Sequence, residues 1–200
     1  MLHNALQTHV SNIKGIIQIG ANSGQEVPLF KTLTQNIILV EPIPHLAEQL
    51  KINYPTCLTV ACAAGSANAK SILHIASNNG ESSSLLTPID HKLYYPGVTF
   101  NQTIDVSIKR FDEIIHEHKI DMQNFNVLVT DTQGYDLEAI KGFGEYITNI
   151  ELIICEYINS NLYQNNASFS SISDYLSLFG FKFITKLDEA LGAGNAVFKK

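Results

Sequence analysis

Two runs of branched apolar residues, NIILV at 36–40 and NVLVT at 126–130, limit the folds that this chain can adopt. Runs of this kind are typical of parallel strands that are buried on both faces of a sheet. Helical patterns separate these strands from one another along the sequence. Because strands and helices alternate, we predict a doubly wound α/β sheet.

The sequence predicts eight strands and five helices. The strands are expected at residues 16–20, 37–41, 57–62, 70–76, 126–131, 150–157, 181–186 and 195–199. The helices are expected at residues 24–33, 44–53, 109–119, 135–147 and 170–179. The last two strands flank a Gly-rich turn, which predicts an antiparallel hairpin that closes an otherwise parallel sheet.

Length and composition favour one domain, 1–200, with residues 1–14 as an N-terminal helix or extension. The net charge of −6 and a single arginine argue against a nucleic-acid partner. No apolar run is long enough for a membrane span and no signal segment opens the chain, so we expect a cytoplasmic protein. The three cysteines, an odd number without C-x-x-C spacing, are expected to be reduced and mostly buried.

Polar residues end the first two predicted strands, where ligands bind in an open α/β sheet. The turn Gly20-Ala21-Asn22-Ser23-Gly24 suits an anionic ligand group held by free backbone N–H groups, or a plain strand-to-helix connection. Glu41 follows about 20 residues later, a spacing at which a carboxylate can bind a ribose diol. The alternative for Glu41 is an exposed acid in a loop. Gln18 stands as a neutral amide within the first strand.

Two further acids are predicted at the ends of neighbouring strands. Asp131 follows a buried run and should face the cleft, and Glu156 follows the apolar residues LIIC. Together they can hold an ammonium group, orient a hydroxyl or act as a base. A divalent metal held with water remains open, although no metal-ligand spacing predicts one. The alternative for Glu156 is a partly buried acid that backbone donors satisfy.

Residues 77–101 form a long polar segment punctuated by Gly and Pro. Loops of this length in a compact domain are usually functional or mobile. His91 lies in this segment and can reach a cleft, although a structural role is the more common one for such a histidine.

Taken together and in order, these motifs resemble the FkbM family of S-adenosylmethionine-dependent methyltransferases. The family pattern D-x-G-A-N-x-G, E-P-x-P, S-S-S-L and D-x-E-G-x-E…L-K-G has its counterparts here in QIGANSG, EPIP, SSSL and DTQGYD…IKG, at residues 18–24, 41–44, 82–85 and 131–142. Glu156 and the closing GNAVFKK match as well. The sequence departs from the pattern at Gln18 and Gln133, where the family has acids, and at Asp136, where it has a glutamate.

The resemblance implies a Rossmann-like class I methyltransferase fold, with a mostly parallel seven-stranded sheet, helices on both faces and an antiparallel last strand. It also implies S-adenosylmethionine as the cofactor, and the expected contacts are Gln18, Gly20, Ala21, Asn22, Gly24, Glu41, Pro42, Ala63 and Asp131. We expect the catalytic groups to be Asp131, Glu156 and His91. Substrate contacts are expected from Ser83, Ser84, Gln133 and Tyr94, with the 77–101 loop covering the cleft.

The favoured hypothesis is methyl transfer to a hydroxyl of a sugar or small natural product, in which Gln18 accepts a hydrogen bond from the cofactor ammonium. A second hypothesis, motivated by Gln18 and Gln133, is a non-catalytic module that keeps the fold and binds cofactor or a partner. A nicotinamide-dependent oxidoreductase is a third, but the turn G-x-x-x-G lacks the G-x-G-x-x-G fingerprint. A homodimer is left open.

Overall fold

Helices and strands alternate along the chain, as the apolar pattern predicts. The computed structural model describes residues 2–200. Its α-helices are α1 (Leu2–His9), α2 (Val27–Leu33), α3 (Pro44–Asn53), α4 (His91–Tyr94), α5 (Phe111–His118), α6 (Asp136–Lys141) and α7 (Phe169–Ser177). Its strands are β1 (Ile16–Ile19), β2 (Ile37–Val40), β3 (Leu58–Val60), β4 (Ala63–Ala64), β5 (Ala69–Ile75), β6 (Gln102–Lys109), β7 (Val127–Thr130), β8 (Leu152–Ile158), β9 (Lys182–Ala190) and β10 (Ala193–Lys199).

The large sheet has seven strands in the order β3-β2-β1-β7-β8-β10-β9. β1 pairs in parallel with β2 and β7, and β7 pairs in parallel with β8. β10 is antiparallel to both β8 and β9. The prediction of a mostly parallel seven-stranded sheet with an antiparallel closing strand is therefore confirmed. From β1, the chain adds β2 and β3 on one side of the sheet and β7 and β8 on the other. This reversal of strand order between β1 and β7 creates a crevice at the carboxyl ends of these two strands.

Side chains of β1 alternate between hydrophobic clusters on the two faces of the sheet. Ile17 packs into a cluster with α5, α6 and α7, in which the rings of Phe111 and Phe143 stack with centroids 4.2 Å apart. Ile16 packs into the other cluster with residues of α1, α2 and α3. Gln18 shares the face of Ile16, so its amide is directed toward α1 and α2.

A second, three-stranded sheet has the order β4-β6-β5. It contains the predicted strand at 70–76, as β5, and a strand that the sequence analysis missed, β6. In β6, Ile104, Val106 and Ile108 pack into a cluster with Ile43 and Leu46, while polar neighbours of these residues are exposed. This sheet covers one side of the crevice beside α3.

The predicted helix at 135–147 is wrong as a single element. α6 ends at Lys141, and a 3₁₀ helix, Gly144–Asn149, follows it. Gly144 has a φ of +54°, a left-handed conformation that an α-helix cannot accommodate. A short 3₁₀ helix, Met122–Asn124, also precedes β7.

The cysteine prediction is confirmed, because Cys57, Cys62 and Cys155 are all free and buried. Burial raises the pKa of all three thiols, most strongly that of Cys155, so they are protonated at neutral pH. Among residues 2–200, no helix has the length and apolar character needed to cross a bilayer.

Candidate functional site

A cavity of about 270 Å³ opens where the strand order changes direction, a volume near the lower end of the range for ligand sites. Nine predicted site residues line it: Gln18, Gly20, Asn22, Glu41, Pro42, Ala63, Ser83, Asp131 and Gln133. Six others do not line it: Ala21, Gly24, Ser84, His91, Tyr94 and Glu156. The carboxyl ends of β1, β2 and β7 therefore bring together most, but not all, of the predicted residues.

The loop after β1 touches the loop after β7 at Gly20. This glycine has a φ of +81°, and a Cβ on it would lie 1.8 Å from the backbone oxygen of Asp131. Asn22 also has a positive φ, 45°, which is uncommon outside glycine. The chain therefore needs glycine at this crossing for two reasons, its dihedral angles and the absence of a side chain.

Backbone N–H groups of this loop have partners within the protein. Those of Gly20 and Ala21 donate to the Val40 carbonyl, and that of Gly24 donates to the Ala21 carbonyl. The expectation of free N–H groups for an anionic ligand is therefore wrong for these residues. Ala21 is buried in the core, and Gly24 is where α3 packs closely, since a Cβ would lie 2.8 Å from a Leu50 methyl carbon.

Glu41 is only 4% exposed, which excludes the exposed-loop alternative. Its Oε2 accepts a hydrogen bond from the Asn22 N–H and its Oε1 accepts one from the Ile43 N–H, each at 2.8 Å. Burial raises its pKa from 4.5 to about 7, and the two backbone hydrogen bonds oppose that shift. The fixed carboxylate keeps further lone pairs available for hydroxyl donors of a ligand.

Glu26 is a cavity residue that the sequence analysis missed. It immediately precedes α2, yet its side chain makes no capping hydrogen bond with that helix. Its Oε2 instead accepts a hydrogen bond from Gln18 Nε2 at 2.9 Å. An acidic residue at the start of a helix usually caps the helix or interacts with its dipole. The sequence therefore gives no sign that Glu26 lines the cavity, and only the structure shows it.

The Gln133 amide joins the two predicted acids, Asp131 and Glu156. Its Nε2 donates to Asp131 Oδ1 at 2.8 Å and to both carboxylate oxygens of Glu156 at 3.1 Å. Its Oε1 accepts a hydrogen bond from the Tyr163 hydroxyl at 3.2 Å. Gln133 has a φ of +54°, a conformation that costs energy in a residue other than glycine and is common at functional sites.

Burial raises the pKa of both acids of this pair. Glu156 is affected most, because Asp131 and Asp136 add repulsion, and its pKa lies well above 4.5. Burial also raises the pKa of Asp131, and hydrogen bonds with Gln133 and Glu156 oppose that rise. Asp131 lines the cavity and its side chain is exposed there. Glu156 is therefore the acid of the pair that takes up a proton first as pH falls, and Asp131 is the one that keeps its negative charge to lower pH.

Glu156 does not end its strand, contrary to the prediction. β8 continues to Ile158, because β10 pairs with it in antiparallel register and Asn195 lies opposite Glu156. The side chain still meets Asp131, since β7 is shorter than β8 and Asp131 follows its last residue. The alternative of satisfaction by backbone donors is not what the structure has: the donor is the Gln133 amide.

The 77–101 segment borders the cavity through Gly80, Glu81, Ser83 and Leu85. Ser84 is buried behind them, and its hydroxyl donates to the Gln133 carbonyl at 2.8 Å. Ser84 therefore supports the bridging residue.

His91 and Tyr94 lie on α4, away from the cavity lining. His91 is 2% exposed and its ring packs against those of Tyr95, Phe100 and Tyr163. Burial lowers its pKa, so its imidazole is neutral near pH 7. Tyr94 is partly exposed at the surface.

Among residues 2–200, the cavity lining carries five carboxyl groups and no lysine or arginine. The acids are Glu26, Glu41, Glu81, Asp131 and Asp188. The lining also contains the apolar residues Cys62, Ala63, Ala64 and Leu73, of which the last three belong to the second sheet. Across residues 2–200, no group of three or more His, Cys, Asp or Glu side chains is arranged to hold a metal ion. The site favours a ligand with a cationic group, a hydroxylated portion and an apolar portion.

Comparison with solved structures shows that the fold is shared with methyltransferases. A methyltransferase FkbM from Methylobacillus flagellatus KT matches with a TM-score of 0.59 and 12% identity, over 94% of this chain and 44% of that one. A ribosomal protein L11 methylase from Lactobacillus delbrueckii subsp. bulgaricus matches with a TM-score of 0.53 and 10% identity, over 100% of this chain and 76% of that one. The chain thus spans less than half the length of the FkbM structure.

Sequence comparison is more specific. The family model described as "Methyltransferase FkbM domain" matches residues 18–183. No curated protein matches the chain. The matched range runs from Gln18 in β1 into β9 and includes the cavity residues named above except Asp188 and Asn195. On the strength of this match, together with the shared fold, the chain belongs to the FkbM methyltransferase family.

Proposed function

We propose that this chain is an S-adenosylmethionine-dependent methyltransferase that acts on a hydroxyl group of a sugar or another small natural product. The observation that carries this proposal is the pairing of two features in one cavity. Buried Glu41 is suited to a ribose diol, and the Asp131–Glu156 pair is suited to a hydroxyl that must lose a proton.

The cavity residues fit this cofactor. Two backbone hydrogen bonds fix the Glu41 carboxylate in place, and it has lone pairs left for the ribose hydroxyls. The apolar residues Ala63, Ala64 and Leu73 of the cavity lining suit an adenine ring. When bound, S-adenosylmethionine supplies an activated methyl group for in-line displacement, so the protein mainly needs to align the acceptor.

The acceptor is proposed to be uncharged, because the acidic lining repels anions and no cation in the lining could pair with a phosphate or carboxylate. Hydroxyl, carboxylate and amide partners surround the cavity, from Ser83 and Glu81 in the 77–101 loop and from Asp188 and Asn195 in the β9–β10 hairpin. Such side chains recognise neutral, hydroxyl-rich molecules. The 77–101 loop would then be the part of the chain that covers the acceptor.

Asp131 is the proposed general base. It is the ionised member of the acid pair, it faces the cavity, and one of its oxygens is fixed by Gln133. Glu156 keeps its proton and its hydrogen bond stabilises the charge on Asp131. Desolvation and the charge of Glu26 outweigh that effect and raise the pKa of Asp131, which suits proton acceptance near neutral pH. His91 has no part in this step, since its ring is buried among aromatic side chains outside the cavity lining.

Calorimetry with S-adenosylmethionine and S-adenosylhomocysteine tests the cofactor assignment, with NADH as a negative control. We expect both adenosyl ligands to bind at micromolar concentration and NADH not to bind. Absence of binding by either adenosyl ligand at millimolar concentration would overturn the proposal, and binding of NADH would restore the oxidoreductase hypothesis.

Transfer itself is tested with a panel of hydroxylated sugars and a radiolabelled methyl donor. Replacement of the base, Asp131→Asn, should lower the rate by about 100-fold or more, the usual contribution of a positioned base. Cofactor binding without transfer to any acceptor in the panel would favour the non-catalytic module instead.

A further inference from the structure

Gln18 has a buried acceptor atom without a partner. The residue lies within β1 and is 3% exposed, and its Oε1 accepts no hydrogen bond from any of residues 2–200. Most buried polar atoms in proteins have a partner, because an unpaired one loses its hydration without compensation. Gln18 also lines the cavity, so a ligand can supply the missing donor.

The partner of Gln18 fixes which atom is free. Glu26 Oε2 lies 2.9 Å from the amide nitrogen of Gln18. An ionised carboxylate only accepts hydrogen bonds, so the nitrogen must face Glu26 and the oxygen must be the unpaired atom. The amide orientation therefore follows from chemistry.

Glu26 brings a full negative charge to the same place. Its side chain turns away from α2, toward the cavity that it lines. Its charge reaches Asp131, on which it is one of the causes of a raised pKa. In the part of the chain that the structure describes, no lysine or arginine of the cavity lining neutralises it. A carboxylate and an unpaired carbonyl oxygen thus stand side by side, which suits a cation with several N–H donors and repels an anion.

We propose that Glu26 and the Oε1 atom of Gln18 together form a binding site for a primary ammonium group. This inference rests on the proposed function, in which that group is the α-ammonium of the cofactor. The FkbM pattern has an acid at the position of Gln18. In this chain the negative charge has moved to Glu26, eight residues along, and Gln18 both orients that carboxylate and adds a neutral acceptor.

The test compares ligands with and without the ammonium group. The probes are S-adenosylhomocysteine, its analogue that lacks only the amino group, and 5′-methylthioadenosine, which lacks the whole amino-acid portion. Calorimetry on the wild-type protein should show the deaminated analogue binding at least 10-fold more weakly than S-adenosylhomocysteine. Equal affinity for these two ligands would overturn the ammonium site without reference to any variant.

Glu26→Gln is the matching protein change. We expect it to weaken S-adenosylhomocysteine binding at least 10-fold while 5′-methylthioadenosine binding stays within twofold of wild type. Glu48→Gln removes the same charge from an exposed position on α3, paired only with Lys51 at the surface, and should leave both affinities within twofold. The exchange variant Gln18→Glu/Glu26→Gln returns the acid to β1 and should recover most of the lost affinity.

The outcomes separate this inference from the proposed function. A wild-type protein that binds neither S-adenosylhomocysteine nor 5′-methylthioadenosine refutes both. If wild type binds S-adenosylhomocysteine and Glu26→Gln binds it equally well, the ammonium site is wrong and the proposed function stands. If Glu26→Gln weakens both ligands to the same extent, Glu26 only shapes the cavity, and the inference is also wrong.

Discussion

Replacing Gly20 with alanine tests whether the close contact between the loops after β1 and β7 holds the cavity together. At a φ of +81°, an alanine costs roughly 1–2 kcal/mol for its left-handed conformation alone. Its Cβ would also lie 1.8 Å from the oxygen and 2.8 Å from the carbonyl carbon of Asp131. Backbone atoms cannot rotate out of the way, so the two loops must separate, at a further cost of roughly 1–3 kcal/mol.

We therefore expect Gly20→Ala to lower the free energy of unfolding by roughly 2–5 kcal/mol, measured by urea denaturation at pH 7. Gly180 is a matched control, because its φ is +82° and a Cβ there would meet nothing within 4 Å. Gly180→Ala should lose only the conformational part, roughly 1–2 kcal/mol. The difference between the two variants isolates the loop contact. If the two losses of unfolding free energy agree within about 0.5 kcal/mol, the steric reasoning is refuted, since a difference of that size lies within the usual scatter of mutational effects.

Three further outcomes are expected. The stability of the wild-type protein should fall as pH rises from near 4.5 to near 7, because burial raises the pKa of Glu41 and of Asp136 to about 7, so the folded state retains protons that the unfolded chain has released. For Glu41 the shift corresponds to about 3 kcal/mol, and urea denaturation at pH 5 and pH 8 measures it; greater stability at pH 8 would contradict this. Gln133→Leu removes the donor shared by the acid pair and should cost roughly 1–3 kcal/mol at pH 7, with a wild-type denaturation midpoint as the contradicting result. Asn126→Leu leaves the Lys14 N–H and a backbone carbonyl without partners and should cost roughly 2–4 kcal/mol; thermal unfolding within 1 °C of wild type would show that these hydrogen bonds contribute nothing.

The large sheet could be predicted because its central strands, β1, β2, β7 and β8, are buried on both faces and leave apolar runs in the sequence. β6 was missed for the opposite reason. Its segment QTIDVSIK buries only Val106 and Ile108 fully, and it lies in a small second sheet between a polar loop and a helix. The alternation of Ile104, Val106 and Ile108 with polar residues is nevertheless the signal of a half-buried strand, so it was available in the sequence.

The site could be predicted where residues follow parallel strands, as Glu41 and Asp131 do. The position of Glu156 within β8 depends on how far the antiparallel β10 extends its pairing, which a local pattern does not show. The roles of Glu26 and Gln133 depend on side-chain directions. Glu26 turns away from its helix, and Gln133 adopts a positive φ, neither of which residue type or spacing indicates.

Within residues 2–200, the cavity lining has carboxylates but no lysine or arginine, so a ligand's affinity should depend on a single unit of its charge. On the proposed function, the ligand taken up carries a sulfonium and the ligand released is a neutral thioether. Carboxylates that attract the sulfonium ligand bind the neutral thioether less tightly, so methyl transfer itself promotes the release of the product and the binding of new cofactor. The thioether product should accordingly be a weak inhibitor at low ionic strength. As salt screens the carboxylates, the affinity for the sulfonium ligand should fall more than the affinity for the product, so product inhibition should increase.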